Sequence, residues 1–189
     1  MPLQIYVDDP PGAGFLAHSV LNEASSLNGY RQRWIGPGGF ATVNNPNADT
    51  ALSTSGAETC QIIIVHKRRG LGALGHYFAL NKPHQIVRGV TQMIAGLGGQ
   101  PVAAVVFAAG EIGVPATQQE YKLTIVGRVR ALCPGASVDW PAAPSTGGHW
   151  GAAYYLPLAE EIALFESQPK GGGFEGMGDG PNGFTLHNY

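Results

Sequence analysis

Two short apolar runs, "CQIIIV" at 60–65 and "LGALGHYFAL" at 71–80, stand on either side of a basic segment, "HKRRG" at 66–70. Each run is bounded by turn residues and is too short for a helix of ordinary length. Both therefore read as strands of one hairpin, with the five residues 66–70 as its connection. Pairing outward sets Val65 opposite Leu71, Ile64 opposite Gly72, Ile63 opposite Ala73, Ile62 opposite Leu74 and Gln61 opposite Gly75. The next pair is Cys60 with His76. Directly opposed residues share a face, with Cβ atoms about 5 Å apart, so this register predicts a thiol and an imidazole in contact. A one-residue change in loop length would offset them.

The remaining chain supplies partners for the hairpin. "LQIYV" at 3–7 alternates like a strand and stops at "DDPPGAG". The segment 15–27 has apolar residues at helical spacing and ends at Asn28 and Gly29. "YRQRWIG" reads as a short strand, and 41–55, polar and centred on "NNPN", reads as a loop. Residues 83–99 open on Pro83, close on glycine and align Ile86, Val87, Val90, Met93, Ile94 and Leu97 along one stripe, which predicts an amphipathic helix. "PVAAVVFAAG" reads as a buried strand. "QQEYKLTIVGRVRALCPGA" begins as helix or strand, and 149–166 combines a strand around "AAYYL" with a short terminal helix. The expected fold is a single α+β domain, 1–168, with central mixed or antiparallel sheets arranged like a sandwich and flanked by helices. A glycine-rich tail, 169–189, follows and is mobile unless something holds it.

Composition narrows the function. Of 189 residues, 13% are charged and the net charge is -2, which gives no electrostatic reason to expect nucleic acid or an anionic membrane as partner. Two cysteines do not make a disulfide scaffold, so free thiols in a reducing compartment are expected. The N-terminal residues show no basic segment followed by an apolar core, and no apolar run approaches the ~18 residues of a membrane span. A soluble monomer is expected, exported, if at all, without a cleaved signal.

A Cys–His pair has specific chemistry. A thiol of pKa ~8.5 is mostly protonated at neutral pH, and a neighbouring imidazolium favours the thiolate. The same histidine can protonate a departing amine or ammonia. A third group must orient the ring, and the turn "STSG" offers Thr54, with Ser53 and Ser55 beside it. Gly56, Gly72, Ala73 and Gly75 leave room for a substrate, and N–H groups at the bend into Cys60 could hold an oxyanion.

The segment 54–110 resembles the CheD-type glutamine deamidases that modify chemotaxis receptors. In that family a Thr stands six residues before the nucleophilic Cys, and an apolar strand, a turn and a "GxMAH"-like segment follow. Here "TSGAETC" sets Thr54 six before Cys60, "GALGH" ends in His76, and "FAAG" at 107–110 is matched to the family's Phe-Gly-Gly segment. The core is similar to that of cytotoxic necrotizing factors and Burkholderia lethal factor, toxins that deamidate a host-protein glutamine. Cys60 and His76 are one residue closer than in the chemotaxis enzymes, "GAET" replaces their glycine-rich approach, and the chain before Thr54 is longer. The resemblance thus implies a delivered bacterial toxin or effector, made in the bacterial cytoplasm and acting in a host cell. Its catalytic residues would be Cys60, His76 and Thr54, its substrate a protein glutamine, and it would need no cofactor or metal.

Other candidates are weaker. Cys133, before a Pro-Gly turn, reads as a buried structural thiol. His149 reads as an exposed loop residue, and His18 and His84 lack metal-type spacing. "GLGALG" runs into a strand and so is no dinucleotide loop. "HKRR" reads as a solvated turn that could steer an acidic protein surface. Two alternatives stay open: a non-catalytic protein-binding domain with a structural Cys60, and a cysteine protease using the same dyad.

Overall fold

The computed structural model describes residues 3–7, 31–46, 50–55, 57, 60–78, 82–109, 115–141, 151–165 and 184–188. The apolar hairpin is its centre: β5 (Gln61–Lys67) and β6 (Leu71–Tyr77) pair antiparallel. On the outer side of β6 lies β3 (Gly39–Val43), and beyond it β11 (Phe184–Asn188). On the outer side of β5 lie β7 (Ala104–Ala109) and then β8 (Ser137–Asp139), giving a six-stranded sheet in the order β11-β3-β6-β5-β7-β8. The second sheet has five strands, β1 (Gln4–Val7), β10 (Glu161–Phe165), β9 (Ala152–Leu156), β4 (Thr50–Ser55) and β2 (Arg31–Trp34), in that spatial order. Both sheets are mixed, because β1 runs parallel to β10, β2 to β4 and β7 to β8.

Alternation along the central strands divides their side chains between two cores. Ile62, Ile64, Leu74, Val106 and Ala108 face the five-stranded sheet and meet Leu52, Ala153, Tyr155 and Ile162 there. Ile63, Val65, Ala73, Val105 and Phe107 face the helices α1 (Pro83–Gly96) and α2 (Pro115–Leu132). Helix α1 starts as its sequence demands. Pro83 opens the first turn and Gln85 Oε1 accepts from the Lys82 N–H at 2.7 Å. Ile86, Val90, Met93 and Ile94 form its buried stripe. At its C-terminus, Lys67 Nζ donates to the carbonyls of Leu97 (3.0 Å) and Gly99 (2.9 Å), a cation placed where the helix dipole favours one.

The α+β sandwich is the fold expected, with the two described helices against one sheet, but several elements differ from the sequence reading. Residues 41–55 are not one loop. They contribute most of β3 and all of β4, because the polarity read as exposure belongs to buried residues such as Thr42, Thr50, Ser53 and Thr54. The uncertain segment near 120 is the helix α2. The expected terminal helix near 160 is the strand β10, joined to β9 through Pro157 to Glu160, with Glu160 at φ 58°. Within the glycine-rich tail, Phe184–Asn188 extend the sheet on β3, and residues 169–183 lie outside the described residues. The helix read at 15–27 lies outside the described residues.

Candidate functional site

The hairpin register differs from the expected one by two residues. Its connection is three residues, Arg68 to Gly70, with Arg69 (φ 67°) and Gly70 (φ 75°) in the left-handed region, and Lys67 pairs with Leu71. His66 and Lys67 are therefore strand residues, not turn residues, and His76 stands opposite Ile62 instead of Cys60. A slip of one would have put the two side chains on opposite faces. A slip of two keeps them on the same face as diagonal neighbours. Cys60, at 8% exposure, belongs to the layer between the sheets together with Ile62 and Leu74. Its own N–H donates to the Ala57 carbonyl at 3.1 Å, so that one of the N–H groups expected to hold an oxyanion at this bend is already engaged; Gly56, Glu58 and Thr59 lie outside the described residues.

His76 and Thr54 meet, and they meet across the sandwich. Thr54 lies in β4 of the five-stranded sheet, not in a turn, and His76 in β6 of the other. Thr54 Oγ1 lies 2.7 Å from His76 Nδ1 and donates to the Ile35 carbonyl at 2.7 Å. A carbonyl can only accept, so the single hydroxyl proton of Thr54 goes to Ile35, and Oγ1 must accept from His76 Nδ1–H. The tautomer is thereby fixed, and Nε2 is the lone-pair nitrogen. The imidazole is fully buried, and desolvation lowers its pKa from 6.5 to about 4. The ring is neutral at pH 7. Ser53, the neighbouring candidate, is on the other face of β4, where its hydroxyl donates to the Arg33 carbonyl at 3.3 Å.

At Gly72 and Gly75 the expected room is filled by the protein itself, while Gly56 lies outside the described residues. A Cβ at Gly72 would collide with the Tyr155 ring, and Gly75 faces the helix side, against Tyr77, Phe40 and Met93. Phe107, matched to the deamidase Phe-Gly-Gly segment, also turns away from His76 and stacks on Trp140 at 4.8 Å between ring centroids. Cys133 is buried as expected and accepts from Gln100 Nε2 at 3.5 Å; burial pushes its thiol pKa up. His84 is exposed on α1, while His18 and His149 lie outside the described residues.

A second histidine escaped the sequence reading. His66 is 2% exposed in β5, on the same face as Ile62 and Ile64. Its Nδ1 lies 2.7 Å from the Tyr155 hydroxyl of β9, and its Nε2 lies 3.8 Å from Glu160 Oε1. Extending the alternation Cys60, Ile62, Ile64 by one step would have turned it inward. Two cavities, of about 320 and 490 Å³, lie at this turn end of β5, and neither is lined by Cys60, His76 or Thr54.

No protein-family model matches the chain, and no curated protein is detectably similar to it. Among the described residues, no helix is long and apolar enough to cross a membrane.

Proposed function

We propose that Cys60, His76 and Thr54 form the catalytic set of a protein-glutamine deamidase. The observation that supports this most is the oriented imidazole. Thr54, anchored on Ile35, holds His76 in the Nδ1–H tautomer, with the basic Nε2 in the layer that also contains Cys60. That is the preparation a nucleophilic thiol needs from its partner.

A neutral imidazole changes the first step from the one read in the sequence. Instead of a standing thiolate–imidazolium pair, His76 acts as general base, taking the thiol proton as Sγ attacks the carboxamide carbon. The tetrahedral intermediate collapses as the imidazolium returns that proton to the departing nitrogen, releasing ammonia and leaving a thioester. Water, deprotonated by the same ring, then attacks the thioester; the C–S bond breaks, the imidazolium returns its proton to Sγ, and glutamate and the free Cys60 thiol result. Throughout, Thr54 Oγ1 accepts a hydrogen bond from Nδ1–H and keeps the ring from turning. A bacterial toxin or effector acting on a host protein remains the setting that the sequence resemblance favours.

One observation favours a non-catalytic reading. His66 and Tyr155 bridge the same two sheets with a bond of the same length, so the Thr54–His76 bond could be a second structural tie. Intact-mass analysis of candidate acceptor proteins, together with ammonia release, separates the two. Deamidation adds about one dalton per glutamine, as amide becomes acid through an acyl-enzyme. We expect this with the wild-type chain and not with a folded Cys60→Ala variant. Full activity in that variant removes Cys60 from the reaction, and peptide cleavage in place of the one-dalton gain makes the chain a protease.

A further inference from the structure

We infer that the cleft between the sheet edges beside Arg68 binds a small zwitterion, a free amino acid with an apolar side chain. This inference rests on no part of the catalytic reading. The cavity of about 320 Å³ is walled on one side by Ile5 of β1, the edge strand of the five-stranded sheet. On the other side it is walled by Ala104 of β7 and by Ser137 and Asp139 of β8, the edge strand of the six-stranded sheet. Val138 is buried toward α2, so alternation turns Ser137 and Asp139 the opposite way, into the cleft. His66, buried, and Arg68, exposed, are also part of its lining.

The chemistry of this lining is selective. A guanidinium matches a carboxylate in two parallel hydrogen bonds, and the Asp139 carboxylate matches an ammonium. Arg68 and Asp139 are the one cation and the one carboxylate of this lining, so a ligand with a single charge engages only one of them. A peptide terminus brings only one charge, whereas a free amino acid brings both. Ser137 can add a hydroxyl contact. His66, its Nδ1 taken by Tyr155, is held neutral because burial lowers its pKa, and so does not repel an ammonium. The apolar wall of Ile5 and Ala104 suits a hydrocarbon side chain. The volume is at the lower end of the range of small-molecule pockets, which fits a ligand of this size.

The test is calorimetric titration of the whole chain with L-leucine, 4-methylpentanoate (carboxylate only) and isopentylamine (ammonium only). L-leucine should bind at least about tenfold more tightly than either analogue, since each lacks one charge-assisted contact. Arg68→Gln and Asp139→Asn alter exposed side chains and should fold normally. Each should weaken L-leucine binding by about tenfold or more, and Arg68→Gln should abolish 4-methylpentanoate binding. Absence of L-leucine binding to the wild-type chain overturns the inference. So does 4-methylpentanoate binding as tightly as L-leucine, which would make the cleft a carboxylate site. Retention of full L-leucine affinity in both variants would place any binding elsewhere.

Discussion

Thr54 carries two buried hydrogen bonds on one oxygen, and valine has its shape without that oxygen. Thr54→Val leaves the Ile35 carbonyl and the His76 Nδ1–H without their partner, so it should cost about 2–3 kcal/mol in urea unfolding. If the proposed chemistry holds, single-turnover deamidation should also slow by about 10–100-fold, while Thr54→Ser should keep most of both. Ser53→Ala should leave the rate unchanged, because its hydroxyl is on the other face of β4. The choice of Thr54 over its serine neighbours came from family resemblance. Nothing in "STSG" itself indicates that Thr54 is a strand residue or that its bond crosses between sheets. His76 and Cys60 were legible as residues sharing a face, because face depends only on the parity of the register. Their direct opposition was not, because it depends on a loop length that tertiary contacts of His66 and Lys67 decide.

At the scale of elements, Gly72 is the close approach on which the hairpin depends. β6 can lie over β9 only because Tyr155 occupies the space a side chain would take. Gly72→Ala should destabilise the fold by about 1–3 kcal/mol or more, measured as a fall in the urea midpoint, since the obstacle is a buried ring with little freedom to move. β11 offers a different test. Deleting 184–188 would leave β3 as an open edge of paired-strand geometry. Size-exclusion chromatography should then show more self-association than the full chain shows at the same concentration. Strands with strong alternation or continuous apolar runs, β1, β5, β6 and β7, were legible. So was α1, with its proline start, glycine end and clean stripe. β3, β4 and β8 were not, because many of their residues are small or polar and both faces of several are buried, which erases the period-two signal; β10, "EIALF" after "LAE", is built of good helix formers and so read as helix.

At the scale of the whole molecule, stability should fall with acid. His76 has a folded pKa of about 4 against 6.5 in an unfolded chain, so the unfolded state binds its proton first. Its contribution is intact above pH 6.5 and is lost as the pH falls toward 4, by an amount on the order of 3 kcal/mol. His66, lowered in the same direction by burial, adds to this. Urea midpoints at pH 7.5, 6 and 4.5 should decline steadily, and His76→Gln should flatten part of that decline. A midpoint independent of pH over this window would contradict the buried neutral imidazoles. The two histidines also bear on how the sheets are aligned. The greasy layer of Ile62, Ile64 and Leu74 is indifferent to sliding, since apolar contact is much the same a few ångströms to either side. The Thr54–His76 and His66–Tyr155 bonds lie toward opposite ends of that layer and are directional, so together they act as two dowel pins. With both in place neither translation nor rotation is free. With one removed the sheets keep a pivot, and with both removed a lubricated plane is left.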